Sequence, residues 1–95
     1  MAVSLSEQCV VSAAKDQLSC DLGGEAAVLN VKTGVYYGLD PVGARIWNLI
    51  QQPRPIHEIR DVLLEEFDVE AGKCSSDLFA LLERLQAEGL IEIQG

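Results

Sequence analysis

The chain has 95 residues, of which 48% are hydrophobic, and it carries a formal net charge of −8 at neutral pH. This length fits one small domain with a single core. Residues 57–95 hold ten acidic side chains against three basic ones, and a surface of that sign repels a phosphate backbone.

No apolar run approaches the roughly 18–20 residues that a bilayer span needs. The N-terminus lacks the basic and apolar regions of a signal peptide. We therefore expect a cytoplasmic protein without a membrane partner, forming a single domain over residues 1–95 in which residues 1–16 are the least determined.

The three cysteines, Cys9, Cys20 and Cys74, are separated by 11 and 54 positions and form no CxxC motif. The single histidine, His57, has no cysteine near it in sequence. These spacings predict neither a structural metal site nor a disulfide framework nor a cysteine-based catalytic pair. The ordinary interpretation is that these cysteines are small apolar residues that fill the core, or exposed free thiols in a reducing compartment.

The first half of the sequence has the patterns of β-strands, which alternate apolar and polar residues or are rich in β-formers. Turn signals separate them: a glycine pair at 23–24, and a KTG turn in which Gly34 is expected to have a positive φ. Short turns predict an antiparallel sheet, and CVVSA at 9–13 is a candidate for a further extended segment. The three predicted strands are QLSCDL at 17–22, EAAVLNV at 25–31 and VYYGL at 35–39.

The second half has the patterns of helices. Asp40 is a candidate N-cap with proline at the first helical position, and Gly89 is suited to closing the last helix. Apolar residues recur at helical spacing between them, and LIEI at 90–93 alternates as a final strand or wing. The order predicts an α+β, winged helix-turn-helix-like domain with a three-stranded antiparallel sheet followed by three helices. The predicted helices run from Pro41 to about residue 50, over 56–66, and over about 73–88.

A winged helix raises the possibility of DNA binding. The candidate recognition helix, GKCSSDLFALLERL at 72–85, offers one lysine near its start and then an acid and an apolar face. Base and phosphate contacts need Arg, Lys, Asn or Gln there. An acidic winged-helix regulator therefore stays only as an alternative, and we expect no nucleic-acid partner.

Catalysis is not indicated either. His57 lies in the first turn of a predicted helix, where a solvated or capping histidine is ordinary. The carboxylates recur at helical spacing, which is typical of exposed, solvated helix faces. The sequence also lacks the glycine-rich loop followed by a lysine that binds phosphate in P-loop proteins. The sequence predicts no enzyme, no catalytic residue, no metal and no cofactor.

Peptide binding fits the strand VYYGL better. It is the last strand of the predicted sheet, and it lacks the charge or proline that normally protects an edge. An extended peptide can add to such an edge through main-chain hydrogen bonds. The last helix would supply one wall through Leu78, Leu81 and Leu85. The same open edge can also pair with a second copy of the chain, so a homodimer is a further expectation.

The sequence also resembles a known family. The segments at 29–50, 53–70 and 77–93 are similar to the PqqD-like family, which includes the pyrroloquinoline quinone biosynthesis protein D and the recognition elements of ribosomally made peptide pathways. The resemblance covers roughly residues 18–93, with the stand-alone B1 proteins of lasso peptide biosynthesis as the subgroup. The segments are LNVKTGVYYGLDPVGARIWNLI, PRPIHEIRDVLLEEFDVE and DLFALLERLQAEGLIEI.

This resemblance implies a leader-binding protein. Members bind the leader segment of a precursor peptide as an added strand, in a cleft walled by the last helix, and present it to partner enzymes. In the lasso subgroup the partners would be a leader peptidase and a macrocyclase; in the alternative, a PqqD-type chaperone, the partner would be a radical S-adenosylmethionine enzyme. The implied peptide-binding residues are Gly34, Val35, Tyr36, Tyr37, Gly38, Asp77, Leu78, Leu81, Arg84 and Leu85, with Asp77 and Arg84 as a polar clamp.

Overall fold

The computed structural model describes residues 6–15 and 17–94. Within them the predicted α+β class is confirmed: a three-stranded antiparallel sheet precedes three helices. The elements in chain order are β1 Val10–Ala13, β2 Gln17–Asp21, β3 Ala26–Asn30, β4 Tyr36–Leu39, α1 Pro41–Leu49, β5 Arg54–Pro55, α2 Ile56–Glu66, α3 Ala71–Ala87 and β6 Ile91–Gln94.

The predicted meander is the sheet β2-β3-β4, which has β2 and β4 at its two edges. The turn between β3 and β4 closes with Gly34 N–H donating to the Asn30 carbonyl at 2.8 Å. Gly34 has φ +73°, as expected, a value that a residue with a Cβ rarely adopts. The tight turn aligns β4 antiparallel to β3, with Tyr37 opposite Val28.

A second three-stranded sheet, of order β5-β1-β6, was not predicted as a unit. Its strands come from three separate regions: the CVVSA segment, the proline-containing connection before α2, and the C-terminal LIEI segment. Val11 lies opposite Ile93 in the β1–β6 pair. The C-terminal strand is thus tied back to the start of the described chain.

The helix boundaries follow local capping chemistry. Asp40 caps α1, because its Oδ1 accepts from Gly43 N–H at 2.8 Å while Pro41 occupies the first turn. At the end of α3, Gly89 has φ +72° and Leu90 N–H donates to the Leu85 carbonyl at 2.9 Å, a Schellman closure. The start of α3 differs from the prediction: it lies at Ala71 rather than at about residue 73.

One core joins the two sheets and the three helices. The inner face of the meander contributes Val28 and Leu39, and the helices contribute mainly Ile and Leu, with Trp47 only 2% exposed. Burial of this aliphatic surface is the main stabilising term for a domain of this size. Among the helices of the described chain, none combines the length and apolar character that crossing a membrane requires.

Candidate functional site

A groove of about 400 Å³ lies between the unpaired edge of β4 and the side of α3 that faces β4. We call it the β4–α3 groove. Tyr37 and Gly38 form the strand side, and Asp77, Leu81 and Arg84 form the helix side.

The backbone of β4 is open along this groove. Asn30 N–H donates to the Val35 carbonyl at 2.9 Å, so these two residues are a hydrogen-bonded pair of the β3–β4 ladder. Bonded and non-bonded pairs alternate in an antiparallel ladder. Tyr37 is therefore bonded to β3, whereas the N–H and C=O groups of Tyr36 and Gly38 point away from it. No strand of the described chain pairs with that edge.

The helix side combines an apolar wall with charges at both ends. Leu81 is partly buried in the middle of the wall. The Arg84 guanidinium lies over the Tyr37 ring, 5.7 Å from its centroid, a cation–π contact across the groove. Toward the other end, Lys73 Nζ lies 3.3 Å from an oxygen of Asp77, one helical turn away.

The floor of the groove is the edge of the core. Buried Leu39, Ile46 and Leu78 line it, and so does Cys74. Burial raises the pKa of the Cys74 thiol, and the nearby Asp77 carboxylate adds to the effect. The thiol is therefore a neutral filler at the groove floor rather than a reactive thiolate.

The predicted site residues separate into three groups. Tyr37, Gly38, Asp77, Leu78, Leu81 and Arg84 line the groove. Gly34, Val35 and Tyr36 lie at or before the start of β4, beside the groove but not in its lining. Leu85 is fully buried in the core, because it follows Leu78 and Leu82 along the inward stripe of α3.

The predicted polar clamp of Asp77 and Arg84 stays a prediction. Asp77 and Arg84 both line the groove, but each already has a partner: Lys73 for Asp77 and the Tyr37 ring for Arg84. A peptide that used these charges would have to share or displace those contacts.

Sequence reasoning missed the residues that close one end of the groove. They come from α1 and from the α2–α3 connection, and they include Val42, Gly43, Phe67 and Val69. Val69 is 41% exposed, an apolar residue inside an acidic connection, and that contrast is the one signal that could have identified it. The packing of α2 against α1 brings Val42, Gly43 and Phe67 to this end of the groove, and no local sequence pattern predicts that packing.

The outer face of the meander, opposite the helices, is apolar and uncovered in the described chain. Leu18, Leu29 and Tyr36 form one cross-strand row over β2, β3 and β4. Leu18 is 62% and Tyr36 65% exposed. A row of this kind is typical of a surface that another protein covers.

Metal chemistry has no support in residues 6–15 and 17–94, where no group of three or more His, Cys, Asp or Glu side chains is placed to hold an ion. All three thiols are free: Cys9 and Cys74 are buried and Cys20 is exposed.

Comparison with known proteins identifies relatives of this arrangement. The family described as Coenzyme PQQ synthesis protein D (PqqD) matches residues 25–91, which include the meander strands β3 and β4 and all three helices. A solved structure described as TbiB1 in complex with the TbiA(beta) leader peptide has a TM-score of 0.79 and 32% sequence identity. That match covers 85% of this chain and 94% of the other. None of the curated proteins matches the sequence.

Proposed function

The chain belongs to the PqqD family, and from that membership we propose that it binds the leader segment of a ribosomally synthesised precursor peptide. The leader adds as a fourth strand to β4 and lies in the β4–α3 groove. The observation that carries the proposal is the open backbone of Tyr36 and Gly38 directly beside an apolar groove.

The geometry assigns different tasks to backbone and side chains. Main-chain hydrogen bonds to β4 supply affinity for any extended segment. Alternate side chains of the leader pack between Tyr37 and Leu81, and this contact selects the sequence. The structural neighbour in complex with a leader peptide supports leader binding as the task of this fold.

Delivery to processing enzymes is the second part of the proposal. The apolar row of Leu18, Leu29 and Tyr36 supports delivery. A leader strand added to β4 would widen the sheet, and its outer face would present this row and the leader together to a partner enzyme. We assign the protein a non-catalytic role in a lasso-type pathway, with a leader peptidase and a macrocyclase as partners. In the PqqD-type alternative the partner is a radical S-adenosylmethionine enzyme, and the genes beside this one distinguish the two.

The test is fluorescence-polarisation binding of labelled leader peptides from precursor genes encoded beside this one, with wild type and Tyr36→Pro. Proline removes the outward N–H of Tyr36 and places its ring where the peptide strand would lie, so affinity should fall about tenfold or more. The fold should survive, because that N–H is not used within the sheet.

Tyr36→Thr is the matched control, since it removes the ring but keeps the N–H. It should retain most of the affinity. A folded Tyr36→Pro variant that binds with wild-type affinity would contradict strand addition to β4.

A further inference from the structure

The meander has a second edge that no described strand covers, and a cavity lies beside it. β2 lies at the opposite side of the sheet from β4, and a cavity of about 470 Å³ lies between β2 and α1. We call it the β2–α1 cleft. It shares only Phe67 with the β4–α3 groove.

The backbone of β2 is as accessible as that of β4. Leu22 N–H donates to the Glu25 carbonyl at 2.8 Å, which makes those residues a hydrogen-bonded pair of the β2–β3 ladder. By the same alternation, the N–H and C=O groups of Ser19 and Asp21 point away from β3. β2 has no lysine, proline or bulge along this edge, and its one charged residue, Asp21, is at its last position.

The cleft has an apolar floor under this open edge. Ala44 and Trp47 of α1 line it, together with Phe67. Trp47 is the single tryptophan of the chain, and its indole N–H has no hydrogen-bond partner in the described residues. An aliphatic or aromatic side chain entering between β2 and α1 would pack on this floor.

The rim of the cleft is negative, unlike that of the groove. Asp21 and Glu25 line it, and neither forms an ion pair with a described residue. The nearby Arg45 is neutralised by Glu66, which accepts two bonds of 2.7 Å from its guanidinium. In the β4–α3 groove the carboxylates are balanced by Lys73 and Arg84.

We propose that the β2–α1 cleft binds an extended segment of another protein, which adds to β2 and places a lysine or arginine beside Asp21 and Glu25. This site goes beyond leader binding and does not depend on it. The charge also disfavours a second copy of this chain as occupant, because the chain carries a net charge of −8 and β2 has no lysine or arginine to place beside Asp21 and Glu25.

The experiment selects a random 12-residue peptide library, displayed on phage, against the Tyr36→Pro variant, in which the β4 edge is closed. The consensus peptide is then titrated while the emission of Trp47 is followed, in wild type and in variants of the cleft. We expect the selected peptides to carry a lysine or arginine next to apolar residues and to change the Trp47 emission.

The variants locate the site. Ser19→Pro removes an outward N–H of β2 and should weaken the selected peptide about tenfold, while Ser19→Thr, its matched control, should not. The pair Asp21→Asn and Glu25→Gln should weaken it about fivefold by removing exposed ion pairs. Leader binding in the folded Ser19→Pro variant should stay at the wild-type value, so failure of this site and failure of the leader site are distinguishable.

Three outcomes would overturn the inference. The first is a selection that enriches nothing over the unselected library, and the second is enriched peptides that bind the folded Ser19→Pro variant equally well. The third is a wild-type dimer in analytical ultracentrifugation that Ser19→Pro dissociates, because a second copy would then occupy β2.

Discussion

Neighbouring residues of α3 have different roles because the helix rotates by about 100° per residue. Leu78, Leu82 and Leu85 face the core and are almost fully buried. Leu81 lies to one side of that stripe, partly buried in the wall of the β4–α3 groove, while Ala80 is exposed. A substitution at Leu81 therefore tests the groove with little cost to the core.

Leu81→Glu should reduce leader affinity about tenfold or more, since it replaces an apolar contact worth up to about 2 kcal/mol by a charge at the centre of the wall. Polarisation binding measures the effect, and thermal unfolding checks the fold. Ala80→Glu adds the same charge one residue away and should bind normally. If both variants bind alike, Leu81 does not contact the leader.

At the scale of elements, a single buried side chain joins the β3–β4 turn to the end of α3. Asn30 Nδ2 donates to the Glu88 carbonyl at 2.8 Å, and Asn30 Oδ1 accepts from the N–H groups of Lys32 and Thr33 at 3.0 and 3.3 Å. One end of this bridge shapes the turn that leads into β4, and the other holds the C-terminus of α3. Asn30 thus connects the two elements that form the groove.

Asn30→Asp should destabilise the protein by roughly 1–3 kcal/mol at pH 7, because a carboxylate keeps the acceptor contacts but cannot donate to the Glu88 carbonyl. Burial beside that carbonyl favours the protonated acid and raises the pKa of the new carboxyl in the folded state. Stability and leader affinity should therefore recover as the pH falls through that pKa.

Denaturant unfolding and leader binding at a series of pH values measure this recovery. Asn30→Ala has no group that titrates, so it should lose stability without regaining it in acid. An Asn30→Asp variant whose stability relative to wild type is independent of pH would contradict the bridge.

At the scale of the whole molecule, the net charge of −8 leaves an excess of acidic side chains. Among the described residues, some ion pairs lie within one helix, such as Lys73–Asp77, and others connect separate segments. Arg45 of α1 forms a bidentate salt bridge with Glu66 at the end of α2. Arg60 of α2 bonds Glu7 in the segment before β1. These pairs are exposed, so each adds little stability; they link α1 to α2 and α2 to the segment before β1.

The Arg45 guanidinium lowers the pKa of Glu66 by hydrogen bonding. A carboxyl whose pKa is depressed by folding stabilises the protein above its unfolded pKa, near 4.3, and this contribution is lost as the pH falls through the folded value. Wild type should therefore melt at a higher temperature than Glu66→Gln at pH 7, and the difference should shrink as the pH falls below the unfolded pKa and vanish below the depressed pKa of folded Glu66. Calorimetry at several pH values measures it; a difference that persists in acid would show that Glu66 acts through packing instead.

Most of the elements could be predicted from the sequence because their signals are local. The Asp40–Pro41 start of α1, the turn glycine Gly34 and the closing glycine Gly89 each act through backbone geometry within a few residues. The apolar periodicities of α2 and α3 likewise need no tertiary context. The family resemblance on the same segments predicted a leader site on β4 and α3, which is the site proposed above.

Only the tertiary structure decided which faces stay open. The pairing of β1 with β6 joins the two ends of the described chain. Tertiary packing decided that the α3 stripe containing Leu85 faces the core, and it brought Val69 to the groove. The β2–α1 cleft exists because α1 packs mainly against β3 and β4 and leaves β2 largely uncovered. Local propensity is carried by neighbours in sequence, whereas exposed edges, grooves and unbalanced charges result from contacts between residues far apart in the chain.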